Sequence, residues 1–423
     1  MLPDLITAVP GPESLRLAGE LRRYESRNVT YLAEDWPVFW ERAEGANVWD
    51  VDGNRFVDLT GAFAVAGLGH GRAEVVEAMT KQAGKLLHGM GDVHPTRLKA
   101  ELCRTLSEMT FERWGAGVGK TVLSNSGFEA VETALKTALL ATGRPKILAF
   151  ENGYHGLGYG ALLGTGFEKF RKPFESQLSD LTTWLPYPAA GDGLDELRGG
   201  LAAVENGSIG AVLVEPIQGR GGVVLPPEGF LKALRTWCDE QGALLIVDEI
   251  YTGFHRTGSL FACEHDGVVP DLICLGKALS GGFPISACVG KAEVMDAWPE
   301  STGEALHTST FLGHPVGCAM ALEALRLHRD VETAQMVEDS GQRLEKLLRE
   351  LEMPFISEVR GRGIMWGVEL DSGERAMGIV MDLLRAGYLA LPGGPEGKVL
   401  CFSPPFGIGE EELRGAVGVI GKA

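Results

Sequence analysis

The chain has 423 residues, more than one hydrophobic core usually serves, so two structural lobes are expected. Its 45% hydrophobic and 23% charged residues are those of an ordinary soluble globular protein. With 39 basic against 57 acidic residues the net charge is −18, a balance that disfavours nucleic acid and anionic membrane as partners.

The seven cysteines are odd in number and lack CxxC spacing, so neither a metal site nor a disulfide framework is expected. No basic segment followed by an apolar core opens the chain, and no apolar run reaches bilayer length, so the expected location is the cytoplasm. Glycine is the compositional outlier, at 58 residues or about twice average usage. Tight turns beside a bound ligand explain that better than disorder, because no low-complexity tract accompanies it.

Residues 1–30 read as a polar, basic arm, helical from Glu13 to Tyr24. Val48–Asp58 reads as a hairpin turning at Asp52-Gly53-Asn54. From about 70 to 315, short apolar runs alternate with helical periodicity. TVLS (121–124), KILAF (146–150), AVLVEP (211–216), ALLIVDE (243–249), DLICLG (271–276) and SACVG (286–290) are strand candidates without polar alternation. With helices expected at Glu129–Thr142 and Pro227–Gln241, the order predicts an α/β domain with a mostly parallel sheet. After Pro315 come helices at 316–329 and 331–352, a strand at 363–370, a helix at 373–387, a strand near 398–402 and a last helix from 410. The expected division is 1–60 as arm and part of a small domain, 61–315 as the large domain, and 316–423 as the C-terminal small domain.

Four constellations carry chemistry. Lys277 stands between the apolar run 271–276 and the glycine-rich Ser280-Gly281-Gly282. Desolvation there would lower its pKa and favour the nucleophilic amine a Schiff base needs. Asp248 ends the run ALLIV, where ligands bind in open α/β sheets, and can hold a pyridine nitrogen protonated. The two lie 277 − 248 = 29 residues apart, about one βαβ unit. Ser124-Asn125-Ser126-Gly127-Phe128-Glu129 joins a strand to a helix start, a ready anion site. Gly153-Tyr154-His155-Gly156 places an aromatic at another strand end. Alone, each has a plainer reading: a surface lysine, a capping aspartate, an N-cap serine, a core tyrosine.

Together and in this order, the four resemble class III aminotransferases of fold type I, from about residue 30 onward, with a pocket pattern closest to amine (omega) transaminases. The resemblance implies pyridoxal 5′-phosphate as cofactor, bound as a Schiff base by Lys277, which also moves the proton. It implies Asp248 at the pyridine nitrogen, Ile250 and Tyr154 on the two ring faces, and Ser126, Gly127 and the Phe128 backbone at the phosphate. His155 and Glu215 would lie near the cofactor, and Thr310 would reach the phosphate from the partner subunit of a homodimer with shared sites.

Several positions depart from the family pattern. Phe128 replaces a usual threonine, and Tyr251 stands where glutamine often meets the cofactor's phenolic oxygen, a role its hydroxyl can serve. Leu157 takes the place of an arginine that binds a distal carboxylate. Arg220 replaces a frequent glutamate, and Cys401 the arginine that glutamate masks. We therefore expect Arg220 to clasp the carboxylate of a 2-oxo acid, with Leu157, Phe63 and Trp40 forming an apolar pocket for the amine. The expected activity is ping-pong transfer of an amino group from an amine or omega-amino donor to a 2-oxo acid. An amino-acid racemase, epimerase or aminomutase on the same scaffold would use the same residues. A regulator that binds cofactor without catalysis would need a DNA-binding segment, which the acidic charge argues against.

Overall fold

Seven strands between Gly119 and Lys291 form one sheet in the computed structural model, which describes residues 1–422. They are β1 (Gly119–Ser124), β2 (Lys146–Phe150), β3 (Thr182–Leu185), β4 (Ile209–Val214), β5 (Leu244–Asp248), β6 (Leu272–Leu275) and β7 (Ser286–Lys291). The order across the sheet is β1-β7-β6-β5-β4-β2-β3. Only β7 runs against its neighbours β1 and β6; the other pairings are parallel.

The apolar runs follow from what covers the sheet. Along β4 and β5 alternate side chains enter opposite cores. Ala211, Leu213 and Ile246 meet Ala130, Val131, Ala134 and Ala138 of helix α1 (Gly127–Thr142). Val212, Val214, Leu245 and Val247 meet Leu231 and Leu234 of the helix Phe230–Gln241 on the other face. Every residue of β4 and β6 is buried, so neither strand has a polar side to show. Strand β3, which the sequence did not suggest, is the edge strand. Its Thr182-Thr183-Trp184-Leu185 has one buried residue and therefore no apolar run to read.

Two smaller sheets complete the molecule. Trp40–Glu44, Asn47–Asp50 and Arg55–Asp58 form an antiparallel meander, and Tyr388–Leu389 adds to Arg55–Asp58 in parallel. Val57 and Leu59 thereby share a core with Leu344, Trp366 and Phe402. The second sheet runs Ile356–Arg362, Met365–Leu370, Val399–Phe402, Leu391–Gly393, all antiparallel. Its edge strand Ile356–Arg362 also escaped the sequence reading, since none of its residues is buried. Among the described residues no helix is long and apolar enough to cross a membrane.

The C-terminal sheet meets the loop after β5 backbone to backbone. At Gly363 (φ +59°) an added Cβ would stand 2.4 Å from both the Gly258 nitrogen and the Thr257 carbonyl carbon. Gly363→Ala combines that clash with a left-handed backbone and should cost about 2–4 kcal/mol, read as a lowered denaturant midpoint. A midpoint equal to wild type would mean the two elements do not press together there.

Candidate active site

The parallel strands end along one edge, and the chemistry-bearing residues follow those ends. Asp248 closes β5, Lys277 follows β6, Glu215 follows β4, Tyr154 and His155 follow β2, and Ser126 follows β1. Because β7 is reversed, its first residue, Ser286, lies opposite Ser124 on the same edge, and its Oγ donates to the Ser126 carbonyl at 2.6 Å.

Asp248 is buried and keeps two hydrogen bonds. Oδ2 pairs with His155 Nδ1 at 2.7 Å, and Oδ1 accepts from the Ile250 amide at 3.0 Å. His155 is held in turn by its own amide, which donates to Thr165 Oγ1 at 3.1 Å. Glu215 accepts from the amides of Tyr154 at 2.8 Å and Gly219 at 3.1 Å. Burial pushes the Glu215 carboxyl up to about 7, with His155 opposing the rise and Asp248 adding to it.

Lys277 has φ +24° at the step from β6 into the 3-10 turn Lys277–Leu279. Burial lowers its pKa, Asp248 and Glu215 act against that, and the Arg220 charge assists it. Its Nζ lies 4.7 Å from the centroid of the Tyr251 ring. The Tyr251 hydroxyl does not offer the free donor expected of it. Ser403 Oγ donates to the Thr60 carbonyl at 2.8 Å, so the Tyr251 proton must point to Ser403 Oγ, 3.0 Å away. Only the lone pairs of Tyr251 remain for a ligand, and burial, with Cys401 close by, pushes its pKa to about 12.

At the start of α1 the anion site is narrower than the motif suggested. Glu129 Oε2 already accepts from the amides of Asn125 (2.9 Å) and Ser126 (2.8 Å) and from Ser126 Oγ (3.1 Å). The amides of Gly127 and Phe128 open the helix, where no carbonyl lies one turn back to receive them. Ile250 covers this corner: a Cβ at Gly127 would sit 3.0 Å from it, and one at Gly276 3.3 Å. Phe128 fills the space beside Gly156 and Gly158, where a Cβ would come within 2.3 and 2.5 Å of it.

The remaining expected residues lie at the rim. Arg220 is exposed, with its guanidinium 4.7 Å from the Tyr154 ring centroid and 5.0 Å from that of Phe170. Leu157 is 49% exposed, Phe63 62% and Trp40 44%, so none belongs to the buried centre. Phe63 sits on the turn Gly61–Ala64, beside the Lys277–Leu279 turn. Trp40 lies on the meander's outer strand, edge-on to His70 at 5.7 Å. Thr310 is exposed, and its neighbour Ser309 accepts from Asn125 Nδ2 at 3.2 Å, close to the α1 N-terminus.

A family model described as Aminotransferase class-III matches residues 30–423. The chain belongs to that family. The acetylornithine aminotransferase of Methanopyrus kandleri is 39% identical over 92% of this chain and 94% of that protein. The ornithine aminotransferase of Toxoplasma gondii, solved with PLP partially occupying its active site, superposes with a TM-score of 0.84 at 34% identity, covering 96% of this chain and 93% of that one. An amine transaminase from an uncultivated Pseudomonas species also reaches 0.84, at 28% identity, over 94% and 97%. This class III aminotransferase is thus a pyridoxal-phosphate enzyme of the α/β fold expected, and membership favours transamination over the isomerase reading.

The residues present fit that cofactor. A buried anion fixed by two donors, a lysine whose amine burial favours, and two first-turn amides at a corner kept open by Gly127 and Gly276 are what an anionic, nitrogen-bearing aldehyde requires. Sequence reading missed Thr165, Phe170 and Ser403. Ser403 stands two residues after Cys401, in Phe402-Ser403-Pro404-Pro405, but nothing local marks Thr165 or Phe170.

Glu215 gives this aminotransferase a testable pH signature. A carboxyl raised in the folded state stabilises it fully below the unfolded value of 4.5 and loses that contribution as pH rises through about 7. In cofactor-free protein, wild type should therefore lose about 2.5 kcal/mol relative to Glu215→Gln between pH 5 and pH 8. Denaturant melts of both proteins at both pH values measure it; a constant difference would show that Glu215 does not titrate there.

Proposed function

We propose that the enzyme takes an amino group from an amine without a distal carboxylate and gives it to a 2-oxo acid, with Lys277 as the cofactor-binding lysine. The observation that carries this is the rim. Arg220 is stacked on Tyr154 and Phe170, while exposed Leu157 stands in the place where the family resemblance puts an arginine for a distal carboxylate. One guanidinium held over an aromatic face suits one carboxylate, and the oxo acid has one. Leu157, Phe63 and Trp40 offer an amine's substituent apolar surface and no charge. The relatives are named for acetylornithine, ornithine and amines, so the choice rests on these residues.

When bound, the pyridoxal ring supplies the electron sink that makes a substrate C–H acidic. Each protein group then has one task. Lys277 Nζ, kept from easy protonation by burial, takes the proton from the amine-bearing carbon. Asp248, fixed by His155 and the Ile250 amide, presents its carboxylate to the ring nitrogen. The Gly127 and Phe128 amides would hold the phosphate, Tyr154 and Ile250 would flank the ring, and Ser126, Glu215 and Tyr251 would support these groups.

The same reading includes a homodimer in which Thr310 reaches the phosphate of the partner's site. Leu86, Leu87, Met90 and Val93 are exposed on one segment, which Thr308 Oγ1 joins to the Thr310 segment by donating to Asp92 Oδ2 at 2.7 Å. Phe311 packs against His88 at 5.3 Å on the same surface. An exposed apolar surface of this kind suits a second subunit.

Lys277→Ala should fold and bind cofactor, lose the absorbance of the lysine-bound form, and fall at least about 10³-fold in turnover. Near-native turnover would end the assignment. Arg220→Ala should raise the KM for pyruvate about 5–30-fold, or about 1–2 kcal/mol, less than a desolvated pair would cost because Arg220 is exposed. The half-reaction with 1-phenylethylamine should hardly change. A wild-type preference for 4-aminobutyrate or acetylornithine over such monoamines would overturn the donor reading.

A further inference from the structure

We infer that Asp58 is a positioning residue for substrate choice: its carboxylate winds the turn Gly61–Ala64 left-handed and holds His70, and so fixes Phe63 and Trp40. This rests on the reading, given above, that those two aromatics face the amine.

The turn is unusual backbone. Gly61, Ala62, Phe63 and Ala64 have φ of 55°, 49°, 60° and 65°, four consecutive left-handed residues of which three are not glycine. L-residues rarely adopt that conformation singly and almost never in a run. Gly61 has no alternative, because a Cβ there would stand 2.6 Å from the Ser403 carbonyl oxygen. The other three are held by hydrogen bonds. Asp58 Oδ1 accepts from the Thr60 amide at 2.8 Å and from Thr60 Oγ1 at 2.7 Å. Oδ2 accepts from the Ala62 amide at 2.9 Å and pairs with His70 Nε2 at 2.8 Å. The Ala64 amide donates to the Thr60 carbonyl at 2.8 Å and the Ala66 amide to that of Gly61 at 2.9 Å.

Asp58 is fully buried, yet what it organises is not. Phe63 is 62% exposed, so its own packing in this subunit does little to offset the strain of the turn that carries it. Strain maintained by a dense hydrogen-bond set around an exposed aromatic marks a position selected for what the ring does. The turn lies beside Lys277–Leu279, and the Thr60 carbonyl receives the Ser403 hydroxyl that also accepts from Tyr251, so a shift at Thr60 reaches the wall of the site directly. On its other side the clamp holds His70, which exchanges two backbone hydrogen bonds of 2.9 Å with Gly45 and meets the Trp40 ring edge-on. One carboxylate thus sets both aromatics.

A clamp serving only folding predicts equal losses with every amine; a positioning clamp predicts losses that grow with the amine's substituent. Holoenzyme Asp58→Asn keeps an acceptor for Thr60 but presents an amide to Ala62 and His70. It should raise the KM for 1-phenylethylamine about tenfold while that for isopropylamine moves less than about threefold, with turnover and cofactor absorbance retained. Adding Ala62→Gly and Ala64→Gly, which accept the left-handed backbone freely, should recover most of the lost affinity for the bulky amine. Phe63→Ala should produce the same change in the ratio of the two KM values, and combining it with Asp58→Asn should add nothing further. His70→Ala, which leaves the turn's own hydrogen bonds in place, should shift the ratio in the same direction by less, and serves if Asp58→Asn does not fold. Equal losses for both amines with no rescue by glycine overturn the proposal. If Phe63→Ala changes the ratio and neither Asp58→Asn nor His70→Ala does, positioning fails and the pocket reading stands. If Phe63→Ala leaves the ratio untouched, the pocket reading fails and the proposal with it.

Discussion

Asp248 is a carboxylate at the end of a strand buried on both faces, and the rest of the site follows from keeping a charge there. An ionised carboxylate out of water needs donors on its oxygens. One comes from the chain's own turn, the Ile250 amide, and the other from His155 across the sheet edge. That second donor fixes where the loop after β2 must run, and Thr165 fixes the histidine in turn. The neighbouring Glu215 cannot ionise as easily in the same space. It receives two amides, but its carboxyl is pushed to about 7. Lys277 faces an aromatic ring instead of forming a tight ion pair, the arrangement that leaves an amine available for chemistry.

Much of this was legible because parallel strands buried on both faces leave a plain signature. The runs at 146–150, 211–214, 244–248 and 272–275 are strands for the reason the sequence suggested, and Asp248, Lys277 and Tyr154 could be placed because each follows such a run. The missed strands, β3, Ile356–Arg362 and the short Trp40–Glu44, Tyr388–Leu389 and Leu391–Gly393, are all edges with at most one buried residue, so the signal is missing for a physical reason. Within the site, residue types were easier to foresee than their hydrogen bonds. Ser126 and Tyr251 both carry protons that suit a ligand, but Glu129 and Ser403 receive them first. Such competition depends on partners anywhere from three to more than a hundred residues away, and no local pattern records it.

The excess of glycine also has a more specific meaning than turns alone. Gly127 and Gly276 make room for Ile250, Gly156 and Gly158 for Phe128, and Gly61 for the Ser403 carbonyl. In each case another group already occupies the volume a Cβ would need. Several glycines therefore let large side chains and backbone close around the ligand's place, and only some of them are there to bend the chain.

The parallel pairing of Tyr388–Leu389 with Arg55–Asp58 has a consequence for synthesis. The strand that ends in Asp58 is flanked on one side by its hairpin partner, and on the other by residues about 330 positions later in the chain. At a ribosomal rate of about 5–20 residues per second, that edge stays open for roughly 15–65 seconds on a growing chain. During that interval Phe56, Val57 and Leu59 lack the C-terminal core that buries them. The seven-stranded sheet, made of residues 119–291, can form well before the earlier hairpin has its neighbour. The nascent chain therefore assembles from its middle outward. A ribosome that stalls after β7 leaves the seven-stranded sheet in place beside an N-terminal segment that is still adhesive, the state most in need of a chaperone.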